Sequence, residues 1–141
     1  MKPRKVYISW NGVVDACSGL IDNLPPGFLG IVPVARGGLV PATIISYKLD
    51  LPIIDLTYVE HRPIKASYGI LVVDDVCDTG KTFVRLRDTW PEATFAAPFV
   101  KPRGMDHCDH WYTEVEQDDW LVFPWAPNDE VNLIRGISNA G

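Results

Sequence analysis

Ile70 to Val73 is an uninterrupted aliphatic run that leads straight into Asp74-Asp75-Val76-Cys77-Asp78 and then Thr79-Gly80-Lys81-Thr82. Such a run suits a strand covered on both faces, as inside a parallel sheet. Phe83, Leu86 and Trp90 follow at helical spacing, and Pro91 closes that helix. Strand, acidic turn and helix in this order form half of a βαβ crossover. A chain with this centre is expected to be an α/β protein with right-handed connections and an open sheet between helices.

The flanking sequence repeats the alternation. Val6 to Ser9 reads as a short strand, and Asn11 as the cap of a helix striped by Val13, Cys17, Leu20, Ile21 and Leu24. Gly30 to Ala35 is a buried strand. Val40, Ile44 and Tyr47 stripe a second helix, with Pro41 tolerated in its first turn. Ile53 to Tyr58 and Thr94 to Val100 read as further strands, and Glu60 to Tyr68 as a loop. The Pro- and Trp-rich remainder holds short strands near Tyr112 to Val115 and Leu121 to Phe123. The expected fold is an open, mostly parallel twisted sheet of about five strands flanked by helices. It forms one domain over 1–141, with a core near 5–100 and a small C-terminal hood over 101–141.

Charge and cysteine usage narrow the partners. Thirteen Lys and Arg against eighteen Asp and Glu give a net charge of −5, which disfavours nucleic acid and anionic membranes as ligands. No apolar run approaches the ~20 residues of a membrane span. Met1-Lys2-Pro3-Arg4-Lys5 leads into a strand rather than a signal-peptide core. Cys17, Cys77 and Cys108 are odd in number and widely spaced, which points to a reducing cytoplasm.

In open parallel sheets ligands bind beyond the carboxyl ends of the strands. There, Asp74 and Asp75 are expected to point to opposite sides, because side chains alternate along a strand, and to grip hydroxyls or a hydrated cation. Thr79, Gly80, Lys81 and Thr82 open a helix whose free N–H groups, with two hydroxyls and a glycine, suit a phosphate dianion. The plainer alternative makes Asp78 an N-cap and the acid pair a solvated turn. A Walker A loop is excluded, since Asp75 stands where that motif needs glycine. Ala35-Arg36-Gly37-Gly38, taken alone, is a tight strand-to-helix turn. Asp106-His107-Cys108-Asp109-His110 holds metal-capable side chains, but no second cluster completes a tetrahedral zinc site. Cys77, near cationic groups, reads as a somewhat reactive thiol or, more plainly, as a small packing residue.

The stretch ILVVDDVCDTGKTF, Ile70 to Phe83, resembles the 5-phosphoribosyl-1-diphosphate (PRPP) motif of the type I phosphoribosyltransferases. Ala35-Arg36-Gly37-Gly38 resembles that family's pyrophosphate loop, which often carries a non-proline cis peptide, placed by analogy at Ala35–Arg36. The likeness to the bacterial xanthine-guanine (6-oxopurine) phosphoribosyltransferases runs from Ile8-Ser9-Trp10 to Ile137. Phe99-Val100-Lys101-Pro102 matches the segment whose lysine meets the purine's exocyclic oxygen. Gln117-Asp118-Asp119-Trp120-Leu121 matches the segment in which an aromatic stacks on the base and the next residue's backbone reads the ring edge. Pro124-Trp125 completes the match.

The resemblance implies a pentosyltransferase of purine salvage that moves the phosphoribosyl group of PRPP to guanine, xanthine or hypoxanthine and releases diphosphate. It implies Asp74, Asp75, Asp78 and Arg36 as catalytic. Arg36, Gly37, Gly38, Asp74, Asp75, Asp78, Thr79, Gly80, Lys81, Thr82, Lys101, Trp120 and Leu121 would contact substrate. Mg²⁺ would lie on Asp75 and Asp74, partly through water, and the chain would form a homodimer or homotetramer. Two departures stand out. Glu60 to Tyr68 is shorter than the family's lid, with Arg62 and Lys65 left to reach the diphosphate. Ala126 replaces a metal-binding Asp, for which Asp129 is the nearest substitute. The rival readings are a catalytically idle PRPP- or nucleotide-binding regulator on this fold, a phosphoribosyltransferase for another base, and a plain sugar-phosphate binding module.

Overall fold

The aliphatic run forms the middle of a parallel sheet. In the computed structural model, where residues 3–55 and 68–126 are described, β2 (Gly30–Pro33), β3 (Ile70–Val73) and β5 (Thr94–Ala96) pair in the order β2-β3-β5. Both pairings are parallel, with Val32 beside Val72 and Val72 beside Phe95. Isolated bridges from Ile31 to Ile53 and from Ala96 to His110 widen it on each side. Of the strand expected over 53–58 and the loop over 60–68, residues 56–67 lie outside the described residues, and Arg62 and Lys65 with them.

Side-chain alternation along β2 and β3 serves two apolar layers. Ile31, Leu71 and Val73 pack with Val13, Leu20 and Ile45 of α1 (Trp10–Asp22) and α2 (Leu39–Leu49). Val32, Ile70 and Val72 pack on the other face with Phe83 and Leu86 of α3 (Lys81–Thr89) and with Trp90. Both faces are therefore covered, which is why these strands are aliphatic throughout.

A second, smaller sheet continues the first. β4 (Val76–Cys77), β6 (Phe99–Val100) and β7 (Thr113–Glu114) pair in parallel in the order β4-β6-β7. Each follows a strand or bridge residue of the larger sheet after a break of two residues: Asp74-Asp75, Ala97-Pro98 and Trp111-Tyr112. The strand expected over Thr94 to Val100 is thus split. Pro98 has no N–H for the ladder, and its carbonyl accepts from Tyr112 and Thr113 instead.

The start of the chain also differs from expectation. β1 (Lys5–Tyr7) pairs in parallel with β8 (Trp120–Val122), with Val6 opposite Leu121, so the first strand sits against the hood segment. Ser9, not Asn11, caps α1: its hydroxyl accepts from the Gly12 amide at 3.0 Å. In α2 the fully buried positions are Pro41, Ala42 and Ile45, whereas Tyr47 is 85% exposed. That helix is apolar on most sides, so spacing alone did not identify its inner face.

Phe95 is fully buried, with its ring 5.2 Å from that of Phe83. Phe95→Ala is expected to lower unfolding free energy by about 3–5 kcal/mol in a urea titration. A loss below about 1 kcal/mol would mean that the layer under α3 does not carry the stability assigned to it.

Candidate active site

The site lies where the larger sheet gives way to the smaller one. At the end of β3 the chain leaves strand geometry: the Asp75 amide donates to Asp74 Oδ1 at 2.8 Å, and the Val76 amide to Asp75 Oδ1 at 2.7 Å. This local turning brings the two carboxyl groups together, where strict alternation would have separated them. Burial, and then the neighbouring Asp75 charge, push the Asp74 carboxyl up to about 8. No lysine or arginine pairs with either acid among the described residues.

The Arg36 loop closes on this pair. A Cβ on Gly37 would lie 2.2 Å from Asp75 Oδ2, and one on Gly38 would lie 2.4 Å from the Val73 carbonyl oxygen. Only glycines allow the two strand-end loops to touch this closely. The Ala35–Arg36 peptide bond is cis, as the resemblance implies. Arg36 is exposed, and its guanidinium makes no hydrogen bond or ion pair among the described residues.

A pocket opens on the other side of the acids, lined by Asp74, Val76 to Thr82 and Phe83. Gly80 occupies the cap position of α3 with φ +85°, a conformation that L side chains resist, and no side chain caps the helix. The amides of Thr79, Gly80, Thr82 and Phe83 donate to no acceptor among the described residues, and the Lys81 amide makes only a long 3.4 Å contact with Thr79 Oγ1. Unsatisfied donors at a helix start, beside Lys81 and two threonine hydroxyls, attract a dianion. Behind the loop, His107 packs on Gly80, and Asp109 accepts from the Phe95 amide and from Arg87. The Asp106 to His110 stretch is therefore a brace. Among the described residues no three His, Cys, Asp or Glu side chains converge on a metal position. Cys77 is buried, its thiol donating to the Gly104 carbonyl, as expected of a packing residue.

Asp78 does not cap the helix. Its Oδ2 lies 3.3 Å from Lys101 Nζ, and its Oδ1 accepts from Gln117 Nε2 at 2.7 Å. Lys101, only 5% exposed, also donates to the Asp119 carbonyl at 2.6 Å. An ammonium has three N–H groups, so one stays available at this position. The next residue, Trp120, is 61% exposed. Along β8, the bonds from the Trp120 amide to the Arg4 carbonyl and from the Ile8 amide to the Val122 carbonyl set the ladder, so the Leu121 N–H and C=O face the open edge. A free cationic N–H, an exposed indole and an open peptide edge thus lie along one short segment. Sequence reasoning missed Gln117 as a partner of Asp78 and Arg4 as a partner of this segment, since both contacts join residues far apart in the chain. Asp129 lies outside the described residues, and Ala126 offers no oxygen ligand on its side chain.

No protein-family profile matches the chain. A xanthine-guanine phosphoribosyltransferase of Cereibacter sphaeroides is 42% identical over 142 residues, covering 84% of this chain and 85% of that protein. The chain belongs to the xanthine-guanine phosphoribosyltransferase family. The enzyme of the same description from Idiomarina loihiensis is 35% identical over 140 residues, covering 86% of this chain and 87% of its own. A solved purine phosphoribosyltransferase of Pyrococcus horikoshii superposes with a TM-score of 0.70 at 30% identity, covering 88% of this chain and 95% of that one. The type I phosphoribosyltransferase fold read from the sequence is the fold of this family member. No helix among the described residues is long and apolar enough to cross a membrane.

The raised Asp74 proton affinity has a measurable consequence. Between about pH 4 and pH 8 the unfolded chain has released this proton and the folded chain still holds it, so the ligand-free protein loses stability as pH rises. Asp74→Asn removes the penalty and still accepts from the Asp75 amide. Its melting temperature is expected to exceed that of the parent by roughly 3–6 °C at pH 8, with the gap shrinking towards pH 4. A gap independent of pH would refute the assignment.

Proposed function

We propose that the protein transfers the 5-phosphoribosyl group of PRPP to a 6-oxopurine, releasing diphosphate and a nucleoside monophosphate, the reaction of purine salvage. The observation that carries this reading is the set of unpartnered amides at the start of α3 beside an acid pair that has no protein cation. That combination suits one ligand bearing both a phosphate and a hydroxylated ring.

In this reading Thr79, Gly80, Lys81 and Thr82 hold the 5′-phosphate, and Asp74 and Asp75 face the ribose hydroxyls. Anchoring the remote phosphate orients the reacting carbon. Arg36 and the Gly37 amide take the diphosphate as the bond from the anomeric carbon to its oxygen breaks, while the Gly38 amide is held by the Val34 carbonyl. A purine ring nitrogen forms the new bond to that carbon, and Asp78 accepts the proton which the imidazole ring gives up. Trp120 stacks on the base, the Leu121 peptide edge reads its rim, and the free N–H of Lys101 meets the exocyclic oxygen. Adenine would present an amino group to that donor, so the site disfavours it. Arg62, Lys65 and Asp129 remain candidates for diphosphate and metal contacts.

Mg²⁺ fits the acid pair: two hard oxygen ligands without a protein counter-ion match an ion that takes one or two carboxylates and completes its shell with water and substrate oxygens. When bound it would neutralise charge on the diphosphate. We further propose a cytoplasmic homo-oligomer, supported by the family assignment alone.

Diphosphate release from PRPP and MgCl₂ with guanine, xanthine or hypoxanthine tests the reading. Tight PRPP binding without release would instead support a regulator on the same fold. Lys101→Met is expected to lower kcat/KM for guanine by about 10²-fold while PRPP affinity by calorimetry stays within about threefold. Equal losses with guanine and adenine would show that Lys101 does not read the oxygen. Asp78→Asn is expected to lower turnover by about 10²-fold with little change in PRPP affinity. Unchanged turnover would remove its proton role.

A further inference from the structure

One contact at the hood is used by none of the steps above. Arg4 Nε donates to Asp119 Oδ1 at 3.1 Å, and Arg4 Nη2 to Asp119 Oδ2 at 2.7 Å, a two-point clasp between residues 115 positions apart. The two ends differ in environment: the Arg4 side chain is 71% exposed and that of Asp119 only 9%. The same two neighbours are joined through the backbone, since the Trp120 amide donates to the Arg4 carbonyl at 2.8 Å. Asp119 also presents its carbonyl to the buried Lys101 ammonium.

Asp119 thus presents its carbonyl to one buried cation, while its carboxylate lies near enough to feel that cation's charge. The cation takes the carbonyl, and the carboxylate is engaged elsewhere. Resting on the reading of Lys101, Trp120 and Leu121 as the base site, the geometry points to Arg4 as a positioning residue for purine recognition: it occupies the Asp119 carboxylate, so that Lys101 stays on the Asp119 carbonyl with one N–H directed at the oxo group. Without Arg4 the carboxylate, only 9% exposed with the clasp in place, would lose its pairing cation, which is unfavourable wherever it stays shielded from water. Lys101, whose charge already acts on this carboxyl, is the cation that would turn towards it. A lysine paired in that way gives up the donor that distinguishes an oxopurine. Asp119 is already sensitive to both cations: the Arg4 hydrogen bond holds its carboxyl below the usual range against the opposing effect of burial, and the Lys101 charge adds to the lowering.

The test compares Arg4→Met, Arg4→Lys, Asp119→Asn and the double variant Arg4→Met/Asp119→Asn, with Trp120→Ala as a control for the base site. Steady-state kinetics are measured with guanine and with PRPP as varied substrate, and melting is followed in parallel. Arg4→Met is expected to lower kcat/KM for guanine about tenfold or more, with KM for PRPP within about twofold. Arg4→Lys keeps the charge and is expected to retain most of the parent value. The double variant has no stranded carboxylate, so it is expected to recover most of the loss and to match Asp119→Asn within about twofold. A role confined to anchoring β1 predicts no such recovery, because removing a charge from Asp119 does not restore an anchor.

Parent-like guanine kinetics in Arg4→Met, or a double variant no better than Arg4→Met, would overturn the inference. Should Arg4→Met fail to fold, the comparison of the double variant with Asp119→Asn decides, and a further loss in the double variant counts against it. If Trp120→Ala leaves the guanine KM unchanged, the base-site reading falls and this inference with it. If Trp120→Ala raises that KM while Arg4→Met does not, only the role of Arg4 falls.

Discussion

Two carboxyl groups held together at the break between β3 and β4, without a protein cation beside them, are the arrangement on which this end of the molecule depends. Bringing like charges together out of water is unfavourable, and Asp74 responds by holding its proton to about pH 8. The fold tolerates the pair because the neighbouring carboxylate oxygens accept backbone amides and because Gly37 and Gly38 let a second loop close over them. A folded state that carries such a cost gains affinity for whatever supplies the missing positive charge and hydrogen-bond donors. Stability and ligand binding are therefore opposed at Asp74.

A different logic governs the hood. Lys101 is a buried cation with two of its three N–H groups engaged, by a carboxylate on one side and a peptide carbonyl on the other. Its contact with Asp78 ties the segment that would hold the base to the loop that would hold the sugar phosphate. Gln117 strengthens the same tie by bonding Asp78 with its amide nitrogen and the Arg103 amide with its oxygen. Lys101 and Gln117 thus meet on one shared carboxylate.

The parts of the structure built from adjacent residues were readable in the sequence. Ile70 to Val73 and the start of α3 follow from aliphatic continuity and turn chemistry, and β2 with the Arg36 loop obeys the same rules. The acid pair was located but not its arrangement, because the turn at Asp74 and Asp75 departs from strand alternation. What escaped was set by contacts between distant residues. Nothing near Arg4 announces Asp119, and nothing near Gln117 announces Asp78. The split of the fifth strand was signalled by Pro98, whose missing N–H outweighs the aliphatic pattern around it. The inner face of α2 was hidden by its own apolarity, because a helix with Leu39, Val40, Ile44, Ile45 and Leu49 on several sides offers more than one stripe.

The pairing of β1 with β8 sets the two halves of the site on different clocks. The phosphate-side loop is a strand, a turn and a helix within about twenty residues, a unit that can organise as soon as it has been synthesised. The base side needs residues 4–8 to meet residues 119–122, which closes a loop spanning nearly all of the described chain. Long-range closure of this kind comes late. On the proposed function, a nascent or partly unfolded molecule therefore completes the loop that would hold the sugar phosphate before the segment that would read the base.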